Sequence, residues 1–178
     1  MAKLSTPKGK LVRKLGTNIF GNPKFDKLLS KKGYGPGQHG KSGKRLSTYS
    51  TQLQEKQKIK FTYGMLEKQF RTYFQKASQM KGETGLNLLI MLETRLDNIV
   101  FKLGFAPSRP SARQLVSHGH FLVNNKKVNI ASYRMKPGDI VQVREKSKKI
   151  DIVLNSVKMI KGDLSTAWLS LDKAKMEG

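Results

Sequence analysis

Arg109 and Arg113 stand four residues apart, and His118 and His120 follow two apart. Guanidinium groups at helical spacing suit one chemistry, the gripping of phosphate by charge-assisted hydrogen bonds. The start of the helix that carries them adds unpaired backbone N–H groups, which also favour anions. The blander reading is a solvated basic helix face. His120 reads as a contact to a base or phosphate. His118 reads equally as such a contact or as a cap on the carbonyls of the helix end. Glu93 and Asp97, four apart, could be drawn as an acid/base pair. Basic neighbours keep both ionised, and orienting Arg95 and the helix start accounts for them better. No nucleophile stands beside a base, so no catalytic residue is expected. His39, His118 and His120 make a poor metal site, because cysteine is absent and the spacing is wrong. Neither a metal nor a cofactor is expected. Gly35-Pro36-Gly37-Gln38-His39-Gly40 formally matches a dinucleotide fingerprint, but Pro36 lies inside it and no strand precedes it. Close approach of glycine backbone to a polyanion fits better, with Gln38, His39, Lys41, Lys44 and Arg45 at phosphates and sugars. A plain mobile loop is the alternative.

The charge says which polyanion. Lysine and arginine total 35 against 12 carboxylates, net +23. Self-repulsion of that size calls for a neutralising partner, nucleic acid or an anionic membrane. The longest apolar run, Leu88 to Leu92, is far below the roughly 20 residues of a membrane span, so nucleic acid is expected and a membrane is not. Lys3, Lys8, Lys10, Arg13 and Lys14 have no apolar block behind them, so no signal peptide is expected. With no cysteine there is no disulfide, thiolate nucleophile or zinc knuckle, which fits a reducing cytosol. Residues 1–45 hold 12 basic residues against the single Asp26, net +11, and half of the 16 glycines. Residues 46–94 are net +3, 95–150 net +9, and 151–178 neutral.

These numbers predict an α+β chain: a basic extended N-terminal arm, a small helical domain, then an RNA-binding domain of two short helices followed by a small antiparallel sheet. The arm, 1–45, has little to bury and should become ordered only on RNA. Arg13, Lys14, Lys31 and Lys32 are its expected RNA contacts, with Tyr34 stacking on a base. The helical domain is expected over 46–92. A first helix from about Ser50 to Lys60 presents Gln52, Lys56 and Lys60 as a polar and basic stripe. In a second helix Leu66, Phe70, Tyr73, Phe74 and Ala77 share one face, Thr62 caps the start, and Glu67 precedes Arg71 by four. Gln69 and Arg71 are further expected contacts. Thr84 is the expected cap of a third helix. The RNA-binding domain, 93–150, opens with a helix buried through Leu96, Ile99, Val100 and Leu103 and stopped by Gly104. Pro107 and Pro110 should hold the connection out of helix. Ser108 or Ser111 caps the next helix, which faces Ala112, Leu115 and Val116 inward and ends at left-handed Gly119. Phe121–Val123 and Lys127–Ile130 flank a turn at Asn124-Asn125-Lys126, with Lys126 on RNA. After the turn at Pro137-Gly138-Asp139, Ile140, Val141 and Val143 form a strand with Gln142 and Arg144 outward. The neutral segment 151–178 is expected to pack back on the body.

Several of these residues also form an ordered set of motifs. Gly35-Pro36-Gly37-Gln38-His39-Gly40, Gln52-Leu53-Gln54-Glu55-Lys56-Gln57-Lys58 and Tyr63-Gly64 with Glu67–Arg71 are followed by Arg95-Leu96-Asp97-Asn98, Ala112–Val116, His118-Gly119-His120 and Pro137-Gly138-Asp139. From about residue 33 onward the chain resembles the bacterial small-subunit ribosomal protein four family, and Arg95 to Asp139 resembles the RNA-binding domain named after it. The resemblance implies binding to a junction in the five-prime domain of small-subunit rRNA and an early role in assembly. It also implies contact with ribosomal protein five and other small-subunit proteins, with mRNA near the channel by which it enters, and an influence on translational accuracy. The implied location is the ribosome, in the cytoplasm. Family members often carry a cysteine zinc knuckle in the arm, a glycine where Asn125 stands and a proline where Ala131 stands. They usually continue beyond a segment like Trp168–Asp172. The competing readings are an RNA-modifying enzyme, which would need a separate catalytic domain, and a general polyanion binder.

Overall fold

The computed structural model describes residues 6–42, 47–159 and 166–178. Among them are eight α-helices and one three-stranded antiparallel sheet. No described helix is long and apolar enough to cross a membrane. The chain divides into two units, 1–72 and 73–178.

In the first unit, Leu11, Val12 and Leu15 are buried on one face of α1 (Lys8–Leu15), which ends at left-handed Gly16. The second helix, α2 (Pro23–Lys31), starts with Pro23 in its first turn and with the Asn22 side chain accepting from the Lys24 N–H. It packs against α1, and a Cβ on Gly9 would lie 3.2 Å from Leu28. The extended arm is therefore corrected. Its charge is real, but residues 8–15 and 23–31 are helical, and Leu11, Val12 and Leu15 at helical spacing form a buried face on α1. The next helix, α3 (Thr48–Thr62), is capped by Ser47, whose Oγ accepts from the Ser50 N–H. Thr62 is not the cap of the following helix. It ends α3 and donates its hydroxyl to the Lys58 carbonyl. α4 (Glu67–Gln79), whose residues from Tyr73 onward belong to the second unit, begins after left-handed Gly64 and buried Met65. Phe70 and Ala77 are buried as expected, whereas Phe74 is half exposed, so the apolar face is narrower than its spacing implied.

In the second unit α5 (Thr84–Glu93) has Glu83, not Thr84, at its cap position, without a side-chain bond. Asn87 instead donates to the Lys81 carbonyl, satisfying the exit from α4. α6 (Leu96–Lys102) buries Leu96, Ile99 and Val100, and Leu103 follows buried before left-handed Gly104. α7 (Arg109–Ser117) is capped by Ser108. Pro110 does not hold this stretch out of helix. It lies in the first turn, where its missing N–H has no intrahelical partner to lose. Ala112, Leu115 and Val116 close on the α6 stripe. Phe121, Val123, Val141 and Val143 complete the core from the sheet, joined by Val153 of α8 (Asp151–Lys158).

The sheet runs in the order β2-β1-β3. β1 (Phe121–Val123) pairs with β2 (Lys126–Lys127) through Val123 opposite Lys126, and with β3 (Val141–Val143) through Phe121 opposite Val143. The turn is therefore the two residues Asn124-Asn125, with φ of 48° and 64°, and Lys126 belongs to the strand. Two left-handed residues match the twist of a hairpin, and asparagine tolerates that conformation. The strand expected through Ile130 stops at Lys127. Asn124 donates to Asp139 and accepts from the Ile140 N–H, each at 2.9 Å, tying the hairpin to the Pro137-Gly138-Asp139 turn. On the other edge, Val141 exchanges backbone hydrogen bonds with Gly178, and Val143 donates to Met176.

Candidate nucleic-acid interface

In the first unit Arg13 reaches from α1 across the glycine-rich loop. Its Nε donates to the Tyr34 carbonyl at 3.1 Å and its Nη2 to that of Gly35 at 2.8 Å. Its guanidinium also lies over the Tyr34 ring at 4.9 Å, and Lys41 Nζ lies 5.3 Å from the same ring. Tyr34, only half exposed, thus has two cations against its ring. Gly35 and Gly40 approach so closely that a Cβ on Gly40 would stand 2.0 Å from the Gly35 carbonyl oxygen. The tip of this closed loop exposes Gln38 and His39. Lys14, Lys31 and Lys32 are exposed and make no ion pair among the described residues. Lys44 and Arg45 lie outside the described residues.

On α3 the expected stripe separates into different environments. Gln52 is exposed, but Lys56 and Lys60 both bond the Glu67 carboxylate, and Lys60 is buried. The two ammonium groups hold Glu67 below its usual carboxylate range. Glu67 therefore meets these lysines rather than Arg71, which stays exposed with Gln69. Lys60 is better placed to fasten α3 to the start of α4 than to meet a ligand.

In the second unit the two arginines of α7 are anchored on α6. Arg109 Nε donates to Asn98 Oδ1 at 2.9 Å, and its guanidinium lies 4.6 Å from the Phe101 ring centroid. Arg113 pairs with Asp97, Nε to Oδ2 at 2.9 Å. The same carboxylate receives Arg95 Nε at 3.0 Å and Nη2 at 2.8 Å, and Arg95 Nη1 donates to the Tyr73 hydroxyl. Burial works against charge on Arg95, but Asp97 and Tyr73 outweigh it and hold the guanidinium above its ordinary value. Glu93 accepts from Asn98 and pairs with Lys102. Both acids thus organise cations.

At the exit of α7 the side chains face a different setting. His118 is exposed, and its ring centroid is 6.0 Å from that of half-buried His120. His120 Nδ1 meets Ser147 Oγ at 2.9 Å. Burial, then His118, then Arg144, pushes the His120 imidazole below its usual value. Arg144 Nη1 donates to the Gly119 carbonyl at 3.1 Å. Lys126 is exposed on β2 beside Lys127. Sequence reasoning named His118, His120 and Lys126 but passed over Lys127 and Arg144. The alternation that turned Arg144 outward was visible. The strand pairing that brings its backbone N–H to the His120 carbonyl was not. Among the described residues no group of three or more His, Cys, Asp or Glu side chains could hold a metal.

A helix pair leading into a short antiparallel sheet, with cations gathered where helix meets hairpin, defines a small RNA-binding module. The family model for the S4 domain matches residues 94–141, and that for the ribosomal protein S4/S9 N-terminal domain matches residues 3–93. The chain is 54% identical over its whole length to small ribosomal subunit protein uS4 of Bacteroides fragilis, covering 87% of that protein. It is 48% identical over 99% of its length to the uS4 protein of Chloroherpeton thalassium, again covering 87%, and 50% identical over its whole length to that of Oenococcus oeni, covering 86%. The chain belongs to the ribosomal protein uS4 family. That family is structural, not enzymatic, which removes the reading as an RNA-modifying enzyme.

Proposed function

We propose that the chain binds small-subunit rRNA directly, at a junction in the five-prime domain, as a structural constituent of the small ribosomal subunit in the cytoplasm. The observation that carries this reading is the α7 exit, where His118, His120, Lys127 and Arg144 meet with no carboxylate bonded to any of them among the described residues. Elsewhere in the same domain Glu93 and Asp97 are taken up by Lys102, Arg95 and Arg113, and the cations at the α7 exit remain for a partner. A-form RNA offers little sequence in its deep groove, so shape and phosphate positions should dominate recognition. In the first unit Gln38, His39, Lys14, Lys31 and Lys32 would make the contacts, with Arg13 and Tyr34 holding the loop that presents two of them. In the second, Lys126 joins the α7 exit, and Arg109 and Arg113 flank it while anchored on Asn98 and Asp97. Early action in assembly, contact with ribosomal protein five, proximity to mRNA where it enters and an effect on accuracy belong to the same proposal, by membership of the family.

The test is binding to a five-prime-domain rRNA fragment and to a size-matched unrelated folded RNA across a salt series. Neutralising about 6–10 phosphates costs roughly a thousandfold or more in affinity between low and moderate salt for either RNA. A preference that persists at high salt supports a shaped site. Equal affinities that vanish together would leave only a general polyanion binder.

A further inference from the structure

We propose that His118, His120, Lys127 and Arg144 form one phosphodiester-binding site around Gly119, and that an RNA phosphate entering it drives proton uptake by His120. This rests on the RNA-binding reading above and gives that surface a pH signature.

The geometry converges on one residue. Gly119 lies between the two histidines in sequence and has φ +73°, which turns the chain sharply at the end of α7. From β2, Lys127 folds over it so closely that a Cβ there would stand 2.4 Å from Lys127 Cε and 3.3 Å from Nζ. From the residue after β3, Arg144 bonds the Gly119 carbonyl through Nη1 and the His120 carbonyl through its backbone N–H. Three separate elements therefore bring positive or protonatable groups to one spot. The 3-10 turn Glu145–Ser147 packs against it through Ser147, and its one acid, Glu145, is bonded to Lys148 at 2.6 Å. Arg113, one turn earlier on α7, is occupied by Asp97.

The proton count follows from this arrangement. Ser147 holds His120 Nδ1 and can donate to it or accept from it, so either charge state is accommodated and Nε2 is left for a ligand. Without a ligand, burial and the neighbouring His118 and Arg144 oppose protonation of His120. A phosphodiester carries one negative charge throughout this pH range and reverses the sign of that field. The His120 imidazole then takes up a proton more readily in the complex than in the free protein. By linkage, affinity must rise as pH falls through the imidazole range, with a slope equal to the protons taken up.

The experiment measures affinity for the five-prime-domain fragment from pH 8 to 5.5 at constant ionic strength. The wild type should bind about three- to tenfold more tightly at pH 6.0 than at pH 7.5, the range set by a mean uptake of roughly one-third to two-thirds of a proton over that interval. H120Q and H118Q/H120Q should both flatten that slope, and a urea midpoint checks that each variant is folded. K127Q, which removes a cation whose side chain makes no ion pair or hydrogen bond among the described residues, should lower the salt slope by roughly one. The proposal is overturned if H118Q/H120Q keeps the wild-type pH slope, if H39Q removes the slope instead, or if K127Q leaves the salt slope intact. Loss of preference for the fragment at every pH overturns the broader reading with it, whereas specific binding without histidine-dependent proton uptake removes this inference alone.

Discussion

Replacing Asp97 by asparagine should destabilise the second unit more than any exposed substitution. Asp97 and Arg95 are 4% and 5% exposed, so water cannot substitute for either partner. In the native protein the carboxylate takes two hydrogen bonds from Arg95 and pairs with Arg113. Asparagine keeps the shape but removes the charge, leaving the buried Arg95 guanidinium with only the Tyr73 hydroxyl and a neutral acceptor. Breaking a buried pair from one side costs about 3–5 kcal/mol, because the surviving charge stays desolvated. For a chain of this size that is a fall of roughly 6–20 °C in Tm. Urea unfolding followed by the fluorescence of Trp168, the single tryptophan and a member of this unit, measures it. R95M/D97L should recover most of the loss, since charge and desolvation leave together, and Arg113, about a quarter exposed, can turn to water. A loss below about 1 kcal/mol for D97N would refute the argument, showing that the buried charge did not depend on this carboxylate.

Two further outcomes test the first unit. E67Q should cost no more than about 1 kcal/mol, because Glu67 is half exposed and its two lysine bonds are screened. Glu67 titrates below its ordinary value, so its contribution is complete above that value and disappears as pH falls through the native one. Urea midpoints of wild type and variant should therefore differ at neutral pH and converge in acid, and a constant gap would contradict the assignment. G40A should open the glycine-rich loop, since the new Cβ meets the Gly35 backbone. Limited proteolysis there should quicken about tenfold, the factor for roughly 1.4 kcal/mol of local destabilisation, and an unchanged rate would argue against the close approach.

Local signals were readable in the sequence where a single rule operated. The 3.6-residue spacing of Leu96, Ile99, Val100 and Leu103 marked the buried stripe of α6, and Ser108 and Gly119 marked the ends of α7. Reading failed where two rules competed. Around α1 the lysines dominate by charge, while Leu11, Val12 and Leu15 form the helix's buried face. Thr62 and Thr84 were chemically plausible caps, but the helix ends fell one to several residues away. Partnerships were the least legible. Nothing local indicates that Glu67 will take Lys60 rather than Arg71, or that Arg113 will reach 16 residues back to Asp97. The α7 exit shows both sides of this: its histidines stand together in the chain, whereas Lys127 and Arg144 arrive only through strand register.

The hold of Arg13 on the Tyr34 and Gly35 carbonyls has a thermodynamic consequence. A loop of glycines that froze only on contact would forfeit about 1–2 kcal/mol of backbone entropy per residue at that moment. Here Arg13 already fixes part of that loop in the folded chain. Gln38 and His39 are then offered from a preset frame, and association at this tip should show little of the negative heat-capacity change that accompanies coupled folding and binding.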